Sequence, residues 1–391
     1  MKILIIAGEQ SGDVLGAKLI AEIKRQKKDV EFVGIGGKLM REQGLNSLFS
    51  IEHLSVMGIF EVAGQIPKIL KLIRRTVRYI YKQKPDMVIT IDSPDFSFRV
   101  IDRLRSASIK RDDGRFLNTK IVHLIAPSVW AYREGRAEKI AGLYDLLLVI
   151  LPFEPPYFER YGLKTVFVGH PIIENEPDFK NQSKISKAFR KENDLEDDDL
   201  ILCVMPGSRN GEVKRIFPEF IKAINLLSKD KDNLKVVIPT VPKTADLVKK
   251  MSEEIKVKCI FVSQEKKNDA LLATNFALVK SGTNSLEISL NRIPMVVAYK
   301  FNLLTYLIGR MLVKVKFANL LNLIVDKEII PEMVHFKCRG QRIYKVLSKL
   351  INNKNYAQKQ VERASRAMKV LGYGSNEKST EKSVKEILSL K

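Results

Sequence analysis

The chain has 391 residues, 45% hydrophobic and 29% charged, which excludes the collagen-like, low-complexity and disordered classes and suits two domains of about 150–200 residues, each able to bury a core without staples. Three cysteines, Cys203, Cys259 and Cys338, without CxxC spacing exclude a disulfide framework and fit a reducing compartment. The net charge of +22 comes from 27 basic and 19 acidic residues through His170 and from 40 and 26 after it, so it is no basic tail, and it calls for nucleic acid, an anionic membrane surface or anionic substrates, or else reflects a lysine-rich proteome.

The first apolar run, Ile3 to Ala7, is too short for the core of a signal peptide and predicts a strand, Lys2–Ala7. Further strands are predicted at Val30–Ile35, Met87–Ile91, Lys120–Ile125, Leu146–Leu151 and Lys164–Val168. Several are apolar nearly throughout, as strands buried on both faces of a parallel sheet are. Amphipathic segments at Val14–Lys27 and Ile66–Lys84 lie between them. This βαβ rhythm predicts a Rossmann-like domain over residues 1–172. It stops over 173–198, a polar stretch with Asn175-Glu176-Pro177 and Glu196-Asp197-Asp198-Asp199, expected to be a linker and surface segment. It restarts over 199–335 with strands at Leu200–Met205, Leu234–Pro239, Cys259–Val262, Phe276–Val279 and Met295–Ala298. Residues 336–391 are helical and charged in pattern, and are expected to pack back on the first domain or on the partner of a homodimer. The whole is expected to be an α/β protein whose two mostly parallel sheets face a ligand cleft. No run approaches 18 apolar residues; Phe301 to Val313 comes nearest and is broken by Arg310, so no membrane-spanning helix is predicted.

The loops after the strands carry the chemistry. Gly8-Glu9-Gln10-Ser11-Gly12-Asp13 opens the first helix without matching GxGxxG or a Walker A loop. It is either an anion-binding turn or a plain β–α turn capped by Ser11 or Asp13. Asp92, in Ile91-Asp92-Ser93-Pro94-Asp95-Phe96, ends a parallel strand, where ligands bind. It is the candidate general base, with Asp95 the candidate cap of the next helix. Trp130, the single tryptophan, sits in Ala126-Pro127-Ser128-Val129-Trp130-Ala131-Tyr132 ahead of Arg133 and Arg136, as a pocket wall or as loop packing. Met205-Pro206-Gly207-Ser208-Arg209, with Glu212 close behind, puts backbone N–H groups beside a guanidinium whose fork suits a diphosphate. Lys280-Ser281-Gly282-Thr283-Asn284-Ser285-Leu286-Glu287 passes from strand into helix, offering hydroxyls to phosphate and a carboxylate to ribose. Ile66–Lys84 and Phe301–Lys316 are basic and amphipathic, fit either for an anionic lipid surface or for a solvated face over a packed stripe. His53, His123, His170 and His335 lack metal spacing, so no metal site is predicted. No RRM, KH or helix-turn-helix signature accompanies the charge, which weighs against nucleic acid.

Taken in order, AGEQSGDVLGA at 7–17, SVMGIFEV at 55–62, IDSPDF at 91–96, PSVWAYREGR at 127–136, LPFE at 151–154, VGHP at 168–171, PGSRNGEV at 206–213, SGTNSLE at 281–287, PMVVAYK at 294–300 and NLLNLIVDKEIIPEM at 319–333 closely resemble the lipid-A-disaccharide synthase family. The combination is specific where each piece alone is not. Other glycosyltransferases and epimerases of the same fold, such as UDP-N-acetylglucosamine 2-epimerase, are not expected to share SVMGIFEV or PSVWAYREGR. Trp130-Ala131-Tyr132 stands where the family has a WAW-type turn.

The resemblance implies a GT-B fold, an inverting and metal-independent transfer with no cofactor, and a cytoplasmic enzyme held peripherally at the inner membrane. It implies UDP-2,3-diacylglucosamine and 2,3-diacylglucosamine 1-phosphate as substrates. Asp92 matches the essential aspartate, Arg209 the arginine that neutralises the departing diphosphate, and Asn322 an active-site asparagine. Ser281, Thr283 and Glu287 match the nucleotide-binding turn, alongside Gly282 and Ser285 and with Gly207 and Ser208 on the arginine turn. Ser11, Gly12, Trp130 and the loop Val56-Met57-Gly58 are expected on the side of the acceptor, its acyl chains and the membrane.

Overall fold

A computed structural model describes residues 1–55, 62–111, 119–302 and 315–390. Val56, Met57 and Gly58, and most of the amphipathic stretch Phe301–Lys316, lie outside the described residues. The chain divides into two compact units, Met1–Pro171 with Ser375–Lys391, and Ile172–Gly374.

The first unit runs β1 (Lys2–Ala7), α1 (Gln10–Gln26), β2 (Glu31–Ile35), α2 (Lys38–Glu42), β3 (Asn46–Ser47), α3 (Glu52–Ser55), α4 (Val62–Gln83), β4 (Met87–Ile91), α5 (Pro94–Arg111), β5 (Lys120–Leu124), α6 (Arg136–Ala141), β6 (Leu146–Val149), α7 (Pro155–Glu159) and β7 (Thr165–Phe167). The strands form one parallel sheet in the order β3-β2-β1-β4-β5-β6-β7. Alternate residues of β1 feed opposite faces, Leu4 and Ile6 into one core and Ile3, Ile5 and Ala7 into the other, which is why the strand is apolar from Ile3 to Ala7. In α4 the apolar stripe, Leu72, Ile73 and Ile80, is buried in the first of these cores. Lys71, Arg74, Arg75, Arg78, Lys82 and Lys84 are exposed. The apolar stripe is thus spent in the core, and the charged face is left open to solvent or to an anionic surface.

The second unit runs α8 (Gln182–Glu192), β8 (Leu200–Met205), α9 (Asn210–Leu227), β9 (Leu234–Pro239), α10 (Ala245–Ser252), β10 (Cys259–Val262), α11 (Lys267–Leu272), β11 (Phe276–Lys280), α12 (Thr283–Leu290), β12 (Met295–Tyr299), α13 (Leu320–Ile324), β13 (Glu332–Val334), α14 (Gly340–Asn352) and α15 (Lys354–Val370). Its parallel sheet has the order β10-β9-β8-β11-β12-β13, the Rossmann order 3-2-1-4-5-6.

Two segments lie elsewhere than expected. The polar stretch 173–198 holds α8, whose Phe189 packs with Leu195 and Val237 in the second unit. The C-terminal helices divide. Ile343, Leu347 and Leu350 of α14 recur at helical spacing and share a core with Ile216, Phe220 and Ile224 of α9. Gly340 makes this possible, since a Cβ there would stand 2.5 Å from that of Lys222. Only the last helix, α16 (Ser379–Leu388), belongs to the first unit. Val384 and Ile387 enter its core, Ser379 Oγ donates to Gly169 O at 2.9 Å, and Lys164 pairs with Glu386 at 3.0 Å.

Candidate active site

In both sheets the strand order reverses once, and loops at that switch point form the natural ligand crevice of an open parallel sheet. In the first unit the switch lies between β1 and β4, where Ala7 is registered with Ile91. Gly8 and Asp92 therefore leave the sheet side by side. A Cβ on Gly8 would stand 2.3 Å from Ser93 Oγ, so glycine is required for the two loops to touch. Asp92 and Ser93 both have positive φ, 50° and 46°, a strained pair of the kind that persists where the surroundings enforce it. Asp92 Oδ1 accepts from Ser93 N at 2.8 Å. Burial raises the Asp92 carboxyl above its ordinary range, against the pull of that hydrogen bond.

The neighbouring motif residues have mostly structural posts. Gly12 is buried against β1, where a Cβ would stand 3.2 Å from that of Ala7; its place serves helix–strand packing, while Ser11 is exposed. Asp13 caps not α1 but α2, accepting from Gly37 N, Leu39 N and Met40 N at 2.7, 3.1 and 3.1 Å. Asp95 lies inside the first turn of α5 and pairs with Arg136 at 3.3 Å, which ties the Trp130 loop to the Asp92 loop. Trp130 stacks edge-on against Phe153 and donates Nε1–H to Glu154 Oε1 at 3.1 Å, so its polar end is spent inside the unit.

Glu154 had no role from sequence. It is 2% exposed, its other oxygen accepts from Leu151 N at 3.0 Å, and burial pushes its carboxyl up to about 7. Folding thus favours its protonated form. Its contribution to stability is complete below its unfolded value near 4.5 and is lost as pH rises through about 7. Between pH 5 and 8 the unaltered protein should lose about 2 kcal/mol relative to Glu154→Gln. Parallel denaturation curves of the two proteins across that window would refute this.

In the second unit the switch lies between β8 and β11, where Met205 is registered with Val279. The turns at 206–209 and 280–283 are therefore adjacent. Gly207 has φ 131° and Gly282 φ 146°, conformations that favour glycine. Arg209 is the N-cap residue of α9 and its side chain is 72% exposed. Ser208, Gly282 and Thr283 are exposed, able to meet a ligand at the start of α12. Ser281 and Ser285 are buried and bonded internally, Ser281 Oγ to Ala318 O at 2.7 Å and Ser285 Oγ to Gly282 O at 2.8 Å. Glu287 pairs with Lys267 at 2.6 Å.

Asn322 is buried in the second unit. It is 0% exposed, donates Nδ2–H to Ile330 O and Glu332 Oε1, both at 2.7 Å, and accepts from Ile329 N and Ile330 N at 2.9 Å. Every bond an amide can make is used. Through these bonds Asn322 clamps the segment 319–332. Glu332 accepts from Ala318 N and Asn319 N at 2.8 Å, and Asn319 Oδ1 caps α13. Because Ser281 bonds Ala318, this network anchors the 281–287 turn from behind.

The sheet order and the loops at both switch points place the chain in the GT-B class, built from two Rossmann units. Solved structures share this fold: UDP-GlcNAc 2-epimerase from Neisseria meningitidis bound to UDP-GlcNAc, at TM-score 0.63 and 15% identity over 99% of this chain and 100% of that one, and S. aureus MnaA with UDP, at 0.62 and 15% over 99% and 94%. The family model described as lipid-A-disaccharide synthetase matches residues 3–387. The lipid-A-disaccharide synthase of Rickettsia prowazekii is 42% identical over 377 residues, covering 96% of this chain and 95% of that one. That of Rhodospirillum centenum is 38% identical over 374 residues, covering 95% and 90%. The chain belongs to the lipid-A-disaccharide synthetase family and is a glycosyltransferase of lipid A disaccharide synthesis.

Proposed function

We propose that the chain joins UDP-2,3-diacylglucosamine to 2,3-diacylglucosamine 1-phosphate, forming the β-1,6-linked disaccharide 1-phosphate and UDP with inversion and without a metal. The observation that supports this most is the second unit's switch point, where an exposed arginine, two positive-φ glycines and a helix N-terminus stand together. Such a site suits a diphosphate leaving group. In the first unit Asp92 accepts the proton of the acceptor's 6-hydroxyl, and the freed oxygen attacks the anomeric carbon opposite the departing UDP. Arg209 meets the charge that develops on that leaving group. Asn322 acts as a positioning residue. The exposed cations of α4 hold the enzyme peripherally at the anionic inner face of the cytoplasmic membrane; no helix among the described residues is long and apolar enough to cross it.

The direct test incubates the purified protein with both substrates in the presence of chelator and follows UDP and disaccharide. Product is expected. A chelator-sensitive rate restored by magnesium would defeat the metal-free reading, and no product under either condition would defeat the substrate assignment. Arg209→Ala should raise the Kd for UDP by about tenfold to a hundredfold with an unchanged melting curve, as befits an exposed side chain. Calorimetry showing equal affinity would return the arginine to a surface role.

A further inference from the structure

Beneath the two turns of the second unit lies an ion cluster that no motif assigned. Glu212, its side chain 5% exposed, shares one oxygen, Oε1, between Lys280 Nζ at 3.2 Å and Arg209 Nη1 at 3.4 Å. Its other oxygen, Oε2, is buried without a hydrogen-bond partner and lies 3.0 Å from where a Cβ on Gly207 would stand. Lys280 Nζ in turn lies 3.7 Å from where a Cβ on Gly282 would stand, and 5.2 Å from the centroid of the Tyr299 ring. The carboxylate thus sits under one turn and the ammonium under the other, each covered by a residue without a side chain.

The charges do not balance. One carboxylate faces two cations, leaving a positive charge where the N-termini of α9 and α12 follow adjacent strands, and all three attract an anion. The two cations also differ in freedom. Arg209 is 72% exposed, whereas Lys280 is 18% exposed and held by Glu212. An ammonium carries three donors, so one bond to Glu212 leaves two for a ligand. A buried pair kept for stability alone is poorly rewarded, because desolvation offsets the attraction, and here it leaves a carboxylate oxygen unsatisfied besides.

We propose that Lys280 is a second cation of the diphosphate site, reaching the ligand beside the Gly282 turn, and that Glu212 is the positioning residue that holds it there. This rests on the nucleotide reading of the second unit and extends it to a fixed ligand as well as a mobile one.

The test is calorimetric titration of the full chain with UDP and with UMP, which lacks the second phosphate. Lys280→Gln should weaken UDP about tenfold, equivalent to ~1.4 kcal/mol, and UMP by less than about threefold, with Lys280→Arg recovering most of the loss. In a Glu212→Gln background the further effect of Lys280→Gln should shrink, since the lysine is no longer held. Unchanged UDP affinity in Lys280→Gln, beside normal binding by the unaltered protein, overturns the proposal alone. Equal losses for UDP and UMP overturn it as well, because they mark general damage to the turn. Absence of UDP binding by the unaltered protein overturns the nucleotide reading from which it starts.

Discussion

Asp92→Asn should lower kcat for disaccharide formation by about 10²–10⁴-fold while UDP binding stays within about twofold. Asparagine is the discriminating substitution because of the backbone. Asp92 has φ 50°, a region that asparagine tolerates and alanine does not. The asparagine oxygen can still accept from Ser93 N, as Asp92 Oδ1 does at 2.8 Å. Shape and strain are kept and only basicity is removed; alanine would mix lost chemistry with a distorted loop. The pH profile adds a second check. A base works ionised, so the rate should rise with pH through the Asp92 carboxyl's own value, which burial holds above the ordinary 3.8. The acid limb should therefore lie above the usual aspartate range. Near-normal turnover by the asparagine variant would remove Asp92 as the base, and a limb at the unshifted value would assign the titration to another group.

The sequence was most legible where strands are buried on both faces. β1, β4, β8 and β11 are apolar nearly throughout, and the residues singled out as chemical, Gly8, Asp92, Gly207 and Ser281, follow within two positions of their ends. Of three short edge strands, β7 of three residues was marked by the apolar run Val166–Val168, whereas β3 of two and β13 of three lack the length to show a period. Burial of polar groups was not legible. Glu154, Glu212 and Glu332 look like surface glutamates in the sequence, and nothing local says that each is nine-tenths buried or more. The partners were invisible for the same reason. Asp13 lies within one helix and caps another whose N-cap residue, Gly37, is 24 positions away, and a capping rule that looks a few residues ahead assigns it to α1. The resemblance supplied the position of Asn322 but not its surroundings. For α14, the apolar spacing was visible, yet the choice between domains depended on Gly340 and the stripe it meets on α9.

Asn322→Ala should behave as a folding lesion before it behaves as a catalytic one. The truncation strips partners from Ile329 N, Ile330 N and Ile330 O around a fully buried side chain, and leaves Glu332 Oε1 with Asn319 N alone. Each buried group left unpaired costs about 1–3 kcal/mol. Rearrangement and water recover some of this, so a net loss of about 4 kcal/mol is expected, lowering the melting transition of the second unit by ~10 °C. Activity should fall too, but by a different route from Asp92. The 281–287 turn hangs on Ala318 through Ser281 Oγ, and Ala318 hangs on Glu332. Loosening this anchor should raise the Kd for UDP together with the loss of kcat, whereas Asp92→Asn leaves that affinity in place. Asn322→Asp sharpens the contrast. It keeps the acceptor for Ile329 N and Ile330 N but sets a second carboxylate against Glu332, so it should be about as damaging near neutral pH and recover at lower pH as the pair takes up a proton. A side chain that touched substrate would act otherwise: Asn322→Ala would melt normally, bind UDP normally and lose turnover alone. That outcome would restore the asparagine to direct contact with the reacting groups.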